Sequence, residues 1–111
     1  MILKFPNMRV ELLGYLNDLR RAKTDPAWIE GEFDHVVHFL FDDTPLPDQA
    51  LGYYLASNEE VGAIQAVVEA LDLVLTKHGT KLKDAEYFSK PEWAEVERRA
   101  EDALRKLKNV N

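Results

Sequence analysis

The sequence contains no cysteine. Disulfides, thiolate metal sites and thiol nucleophiles are therefore excluded, and the absence fits a reducing compartment. Glycine and proline are sparse, five of each in 111 residues. Gly14, Gly52 and Gly62 stand singly, so there is no glycine-rich loop to cradle a phosphate. No apolar run approaches the roughly 18 residues that a membrane-spanning helix needs. The opening Met1-Ile2-Leu3-Lys4-Phe5-Pro6 turns polar too soon for a signal peptide. A soluble cytoplasmic protein without a membrane partner is the expectation. The most telling absence is positive charge: between Lys23 and Lys77 there is no lysine and no arginine.

That middle stretch, 24–76, has 53 residues, eleven carboxylates and two histidines. Residues 1–23 carry five basic and two acidic side chains, and residues 77–111 carry nine and seven. Net charges of +3, −11 and +2 on the three stretches make up the overall −6. The acidic balance argues against nucleic-acid binding, which needs a basic face to neutralise phosphates. The middle must meet positive charge from its own basic flanks, from a cation or from a basic partner. A hydrophobic fraction of 46% is enough for the core of one domain spanning 1–111. The margin at this length is thin, and homo-oligomerisation would add buried area.

Helical periodicity dominates the pattern. Residues 8–23 place Met8, Leu12, Leu13, Leu16 and Leu19 at helical spacing, with Asn7 as N-cap and Arg20, Arg21 and Lys23 in the last turn. Asp25-Pro26 opens a short turn through Trp28 that Gly31 closes. Residues 33–43 carry Phe33, Val36, Val37, Leu40 and Phe41 at i, i+3, i+4, i+7 and i+8, a helical stripe, ended by Thr44-Pro45-Leu46-Pro47. Ser57 to Glu60 reads as a capping box that starts a helix over 58–78, with Gly79 as its stop. This is the most apolar helix and the expected centre of the core. Residues 80–88 read as a polar loop with a turn at Asp84–Tyr87. Ser89 and Glu92 form a second capping-box pattern, with Pro91 between them, and predict a last helix over 90–108. The expected fold is all-α, an irregular bundle of about four helices. The alternative is α+β, with a small two-stranded element near 35–41 and 52–56, because Gly52-Tyr53-Tyr54-Leu55 has β propensity.

Two sets of candidate site residues follow. On a helix over 33–43, His38 lies one turn from Asp34 and from Asp42, and His35 is its i+3 neighbour. His35, His38, Asp34 and Asp42 are a donor set for a divalent metal such as zinc, manganese or iron. The spacing is neither HExxH nor a calcium loop, and a histidine among Val36, Val37, Phe39 and Leu40 is more often a structural one, hydrogen-bonded to a carboxylate. The second set is a surface for a basic partner: Asp42, Asp43, Asp48, Tyr53, Tyr54, Glu59 and Glu60. Trp93 at a helix start reads as core, while Trp28 is a candidate anchor. Ser57 and Ser89 read as caps and not as nucleophiles.

Phe5-Pro6-Asn7-Met8-Arg9 opening a helix, His38-Phe39-Leu40-Phe41-Asp42-Asp43-Thr44, then Gly52 and Leu55, then Glu92-Trp93 with Val96 give the chain a resemblance over residues 4–104. It resembles a family of small uncharacterised bacterial proteins found in actinomycetes. The resemblance implies a stand-alone cytosolic bacterial domain and implies no activity, so no catalytic role is carried over from it. Two functions are in view. The first is a non-enzymatic acidic interaction protein binding a basic protein partner, a toxin-neutralising immunity protein being one version. The second is a divalent-metal-binding protein or metal-dependent hydrolase built on His35 and His38, with metal-bound water as nucleophile. The first needs no cofactor.

Overall fold

Pro6 at the first helical position starts α1 (Pro6–Arg21), where its missing N–H costs nothing. The expected Asn7 cap is therefore already inside the helix. The cap position falls to Phe5, which offers no side-chain hydrogen bond. The entry is held another way, by backbone bonds from Lys4 N to Gly52 O (3.1 Å) and from Phe5 N to Tyr53 O (2.7 Å). The computed structural model describes residues 2–45 and 47–108, so Leu46 of the expected break lies outside the described residues.

A 3-10 turn, Ala22–Thr24, ends α1. Asp25 then forms the expected turn, its Oδ1 accepting from Ala27 N at 2.9 Å. Next come α2 (Glu32–His38) and, continuous with it, a π-helical turn over Phe39–Asp43. Residues 50–55 make a tight turn, with the backbone N–H groups of Tyr53, Tyr54 and Leu55 all donating to Ala50 O. Leu51 and Leu55 share only an isolated bridge, and among the described residues there is no strand. The fold is all-α, and the two-stranded alternative is set aside.

The long helix α3 (Asn58–His78) starts and stops where its local signals place it. Ser57 Oγ accepts from Glu60 N at 3.2 Å. Gly79, at φ 84°, donates to Leu75 O at 2.8 Å, a left-handed conformation suited to glycine. The expected loop turn at 84–87 is a five-residue helix, α4 (Asp84–Phe88). Ser89 belongs to the end of α4 and does not open the last helix: its hydroxyl donates to Glu86 O at 2.7 Å. The last helix, α5 (Trp93–Lys108), begins three residues later than expected, after a turn in which Trp93 N donates to Lys90 O.

The core corrects one expectation. The chief packing pairs are α3 with α5 and α1 with α5, so α5 and not the more apolar α3 is the shared neighbour. Ala100 and Ala103, both fully buried, explain this, because small side chains let two helices approach α5 closely. At one end an aromatic cluster closes the core: Trp93 lies 4.6 Å from Phe88 and 5.4 Å from Phe33, and Phe33 lies 4.9 Å from Tyr87. Trp93 is wholly buried, as read. No helix among the described residues is long and apolar enough to cross a membrane.

Candidate interaction surface

The π-helical turn sets the geometry around His38. A π turn closes on i→i+5 spacing instead of i→i+4, so residues four and five positions ahead can both reach back to one side chain. His38 Nδ1 lies 2.9 Å from Asp42 Oδ2 and Nε2 lies 3.2 Å from Asp43 Oδ1. Both ring nitrogens are thus engaged by carboxylates. His35 turns to a different partner, its Nδ1 lying 3.7 Å from Glu32 Oε2. Asp34 is exposed, and its side chain makes no hydrogen bond or ion pair among the described residues. His35, His38, Asp34 and Asp42 are therefore on one helical segment but are not gathered round one point. Among the described residues no three His, Asp or Glu side chains are placed to hold a metal ion.

Two residues of the expected partner surface are not on the surface. Glu60 is only 1% exposed and forms a bidentate pair with Arg9. Arg9 Nη1 donates to Glu60 Oε1 (2.7 Å) and Nη2 to Oε2 (2.9 Å). The same guanidinium reaches Tyr54 O (3.1 Å) and Leu107 O (3.0 Å). Glu60 also accepts from Ala56 N at 2.8 Å. One planar fork thus joins α1, the 50–55 turn, α3 and the end of α5, the geometry for which arginine is suited. Tyr54 is buried as well. Its hydroxyl donates to Pro45 O at 2.9 Å, and burial pushes its phenol pKa up.

Asp42, Asp43, Asp48, Glu59 and Tyr53 are exposed. Tyr53, 39% exposed, stacks on Phe5 with ring centroids 5.7 Å apart. Lys4 Nζ lies over both rings, 5.4 Å from that of Tyr53 and 6.0 Å from that of Phe5. Ile2 and Leu51 are exposed close to this shelf in the chain. Phe5 also lines a cleft of about 420 Å³ with Met8, Glu11, Phe39 and Asp43 among its walls. The cleft brings the π-helical turn beside the start of α1. Sequence reasoning missed Lys4, Phe5, Met8 and Glu11 here, because the Phe39 and Asp43 they meet across the cleft lie about thirty or more positions away along the chain.

The electrostatic surroundings of Tyr15 report on the same face. Its phenol pKa is pushed up by burial first and then by Glu11, Glu32, Asp18 and Asp43, carboxylates drawn from α1, α2 and the π-helical turn. The protein's own basic side chains neutralise little of this. Of the eleven carboxylates in 24–76, three meet an arginine of a terminal helix: Asp25 with Arg21, Glu60 with Arg9 and Glu69 with Arg99. The other eight form no ion pair with lysine or arginine among the described residues.

The described residues form a small all-α protein in which the exposed Asp43 and the aromatic Phe5 line one cleft. Residues 3–111 match the family described as Domain of unknown function (DUF7945), and the chain belongs to that family. No curated protein and no solved structure matches the chain.

Proposed function

We propose that this is a non-enzymatic interaction protein that presents its acidic face to a basic protein partner, with an immunity-like role as one version. The observation that supports it is that eight of the eleven middle-stretch carboxylates meet no lysine or arginine among the described residues, with one of them, Asp43, on the wall of the cleft that Phe5, Met8 and Phe39 also line. The complementary partner carries lysines or arginines around an apolar side chain that enters the cleft near Phe5 and Phe39. Long-range attraction of this kind raises association rates and weakens with salt. A bacterial, actinomycete-type source and a cytoplasmic setting belong to the same reading.

The test is affinity capture with the wild type and with a variant carrying Asp42→Asn, Asp43→Asn, Asp48→Asn and Glu59→Gln. The expected result is a basic protein retained by the wild type at low salt, released by salt and not retained by the variant. Retention by both alike would sink the reading. The divalent-metal alternative has less behind it, since His35 and His38 engage separate carboxylates. Calorimetric titration with zinc and manganese, wild type against His38→Ala, tests it directly. Stoichiometric binding lost in the variant would restore it.

A further inference from the structure

Away from that face, a second arrangement of carboxylates has no assigned role. The Asp84 side chain, on a residue 6% exposed, takes three N–H donors on one oxygen. Oδ2 accepts from Trp28 Nε1 (3.0 Å), Gly31 N (2.9 Å) and Phe33 N (3.2 Å). Gly31 sits at φ 101°, a conformation that favours glycine, as it does so. In return both oxygens of Glu30 accept from Asp84 N, at 3.1 and 3.0 Å. Two carboxylates therefore stand side by side, and neither has a lysine, arginine or histidine in ion-pair range among the described residues. Asp84 Oδ1 accepts from no described residue and is not among the sealed, unpartnered polar atoms, so it opens outward. Asp84 and Glu30 line a cavity of about 310 Å³ together with Asp25, Lys23 and the rings of Trp28 and Phe88. Those rings meet edge-on at 5.1 Å.

We propose that this cavity binds an organic ammonium group, seated between the free Asp84 oxygen and Glu30 and against the Trp28 and Phe88 rings. Carboxylates beside aromatic faces suit a cation that also has an apolar body, since the ring quadrupole attracts the charge and the rings take up the alkyl chain. A bare divalent ion is the poorer fit, because among the described residues no three carboxylates or histidines converge there and Ala22, Trp28, Ala85 and Phe88 make half the lining apolar. Lys23 does not fill the site itself: its ammonium forms no ion pair and lies over neither ring among the described residues. Its charge at the rim opposes an incoming cation. The cavity shares no lining residue with the cleft beside the π-helical turn, and the inference does not rest on the proposed partner.

The test is two-dimensional ¹H–¹⁵N spectroscopy of the full chain during titration with n-butylammonium, with Nα-acetyl-lysine methylamide and with neutral 1-butanol. The two indole N–H signals separate the site from the core, because Trp28 lines the cavity and the wholly buried Trp93, behind the Phe88 ring, does not. Expected are saturable shifts of the Trp28 indole and of the Gly31 and Phe33 amides with an ammonium ligand, and none with 1-butanol. Binding of the lysine derivative at least as tight as that of butylammonium identifies a protein side chain as the source. Its exclusion identifies a free small amine. Glu30→Gln keeps an acceptor for Asp84 N and should weaken binding about tenfold. Lys23→Ala, a surface change, should tighten it several-fold. The proposal is overturned if no ammonium ligand saturates, if 1-butanol acts equally, or if Lys23→Ala leaves affinity unchanged or lowers it.

Discussion

At the residue scale, the side chain with the widest reach is Arg9. It makes four hydrogen bonds to three separate parts of the chain. Glu60 beneath it is a buried carboxylate whose charge is balanced by this one guanidinium. Removing one member of a buried pair strands the other without water. Arg9→Ala should therefore destabilise the protein by roughly 3–5 kcal/mol in urea denaturation, while Arg9→Met with Glu60→Leu together should cost less than the single change. A single variant within about 0.5 kcal/mol of wild type would show the pair to be incidental.

Glu92 makes a second residue-scale prediction. Lys77 first and then His78 hold its carboxyl below the ordinary value of 4.5, at about 2, through contacts of 2.6 and 2.7 Å. A carboxylate with a depressed folded-state pKa stabilises the fold at pH above its unfolded value, and this is lost as pH falls through the folded value. The stabilisation from Glu92 is thus present above about 4.5 and disappears toward 2. Glu95, held at about 2 by Arg98 and Arg99, titrates over the same window. Thermal melts from neutral pH down to about pH 2.5 should show a steeper loss in wild type than in Glu92→Gln. Parallel curves would remove the Lys77–Glu92–His78 cluster as a contributor.

At the element scale, α3 and α5 invite different experiments. Leu71 lies mid-face on α3 and is wholly buried, so Leu71→Ala should cost roughly 2–5 kcal/mol by lost burial and a residual cavity. A melting temperature within a degree or so of wild type would show this face to be loosely packed. The placing of α3 was legible to the residue because its signals are local: Ser57 and Gly79 act within four positions of the helix ends. The start of α1 was less legible. Pro6 can open a helix without a side-chain cap, and what anchors the entry is backbone pairing with Gly52 and Tyr53, nearly fifty positions away. Ser89 illustrates a pattern with two local uses, since a hydroxyl at a helix junction can cap the next helix or bond back to the last one. Tertiary packing of α4 through Tyr87 and Phe88 favours the second.

For the whole molecule, charge is the property with measurable consequences. A net charge of −6 with eight middle-stretch carboxylates unmatched by lysine or arginine implies self-repulsion in the folded state. Exposed ion pairs such as Arg98–Glu95 or Arg105–Asp102 contribute little individually. Raising salt from about 0.02 M to about 0.5 M shortens the screening length well below the size of the protein and should raise the melting temperature by a few degrees. A fall would mean that the ion pairs between helices outweigh the repulsion.

The sequence by itself determined the three long helices to within three residues at their ends, the class of fold and the division of charge along the chain, while α4 and the π-helical turn were not legible in it. The legible features follow from periodicity, caps and composition, which act over a few neighbouring residues. Only the tertiary structure decided which acids face water and which are locked inside. Glu59 and Glu60 are adjacent, yet one is exposed and the other pairs with Arg9, fifty-one positions away. Tyr53 and Tyr54 divide in the same way, and the Asp84–Glu30 contact joins residues fifty-four positions apart. Burial depends on which surfaces meet when helices pack, and at that distance along the chain no local pattern specifies the meeting.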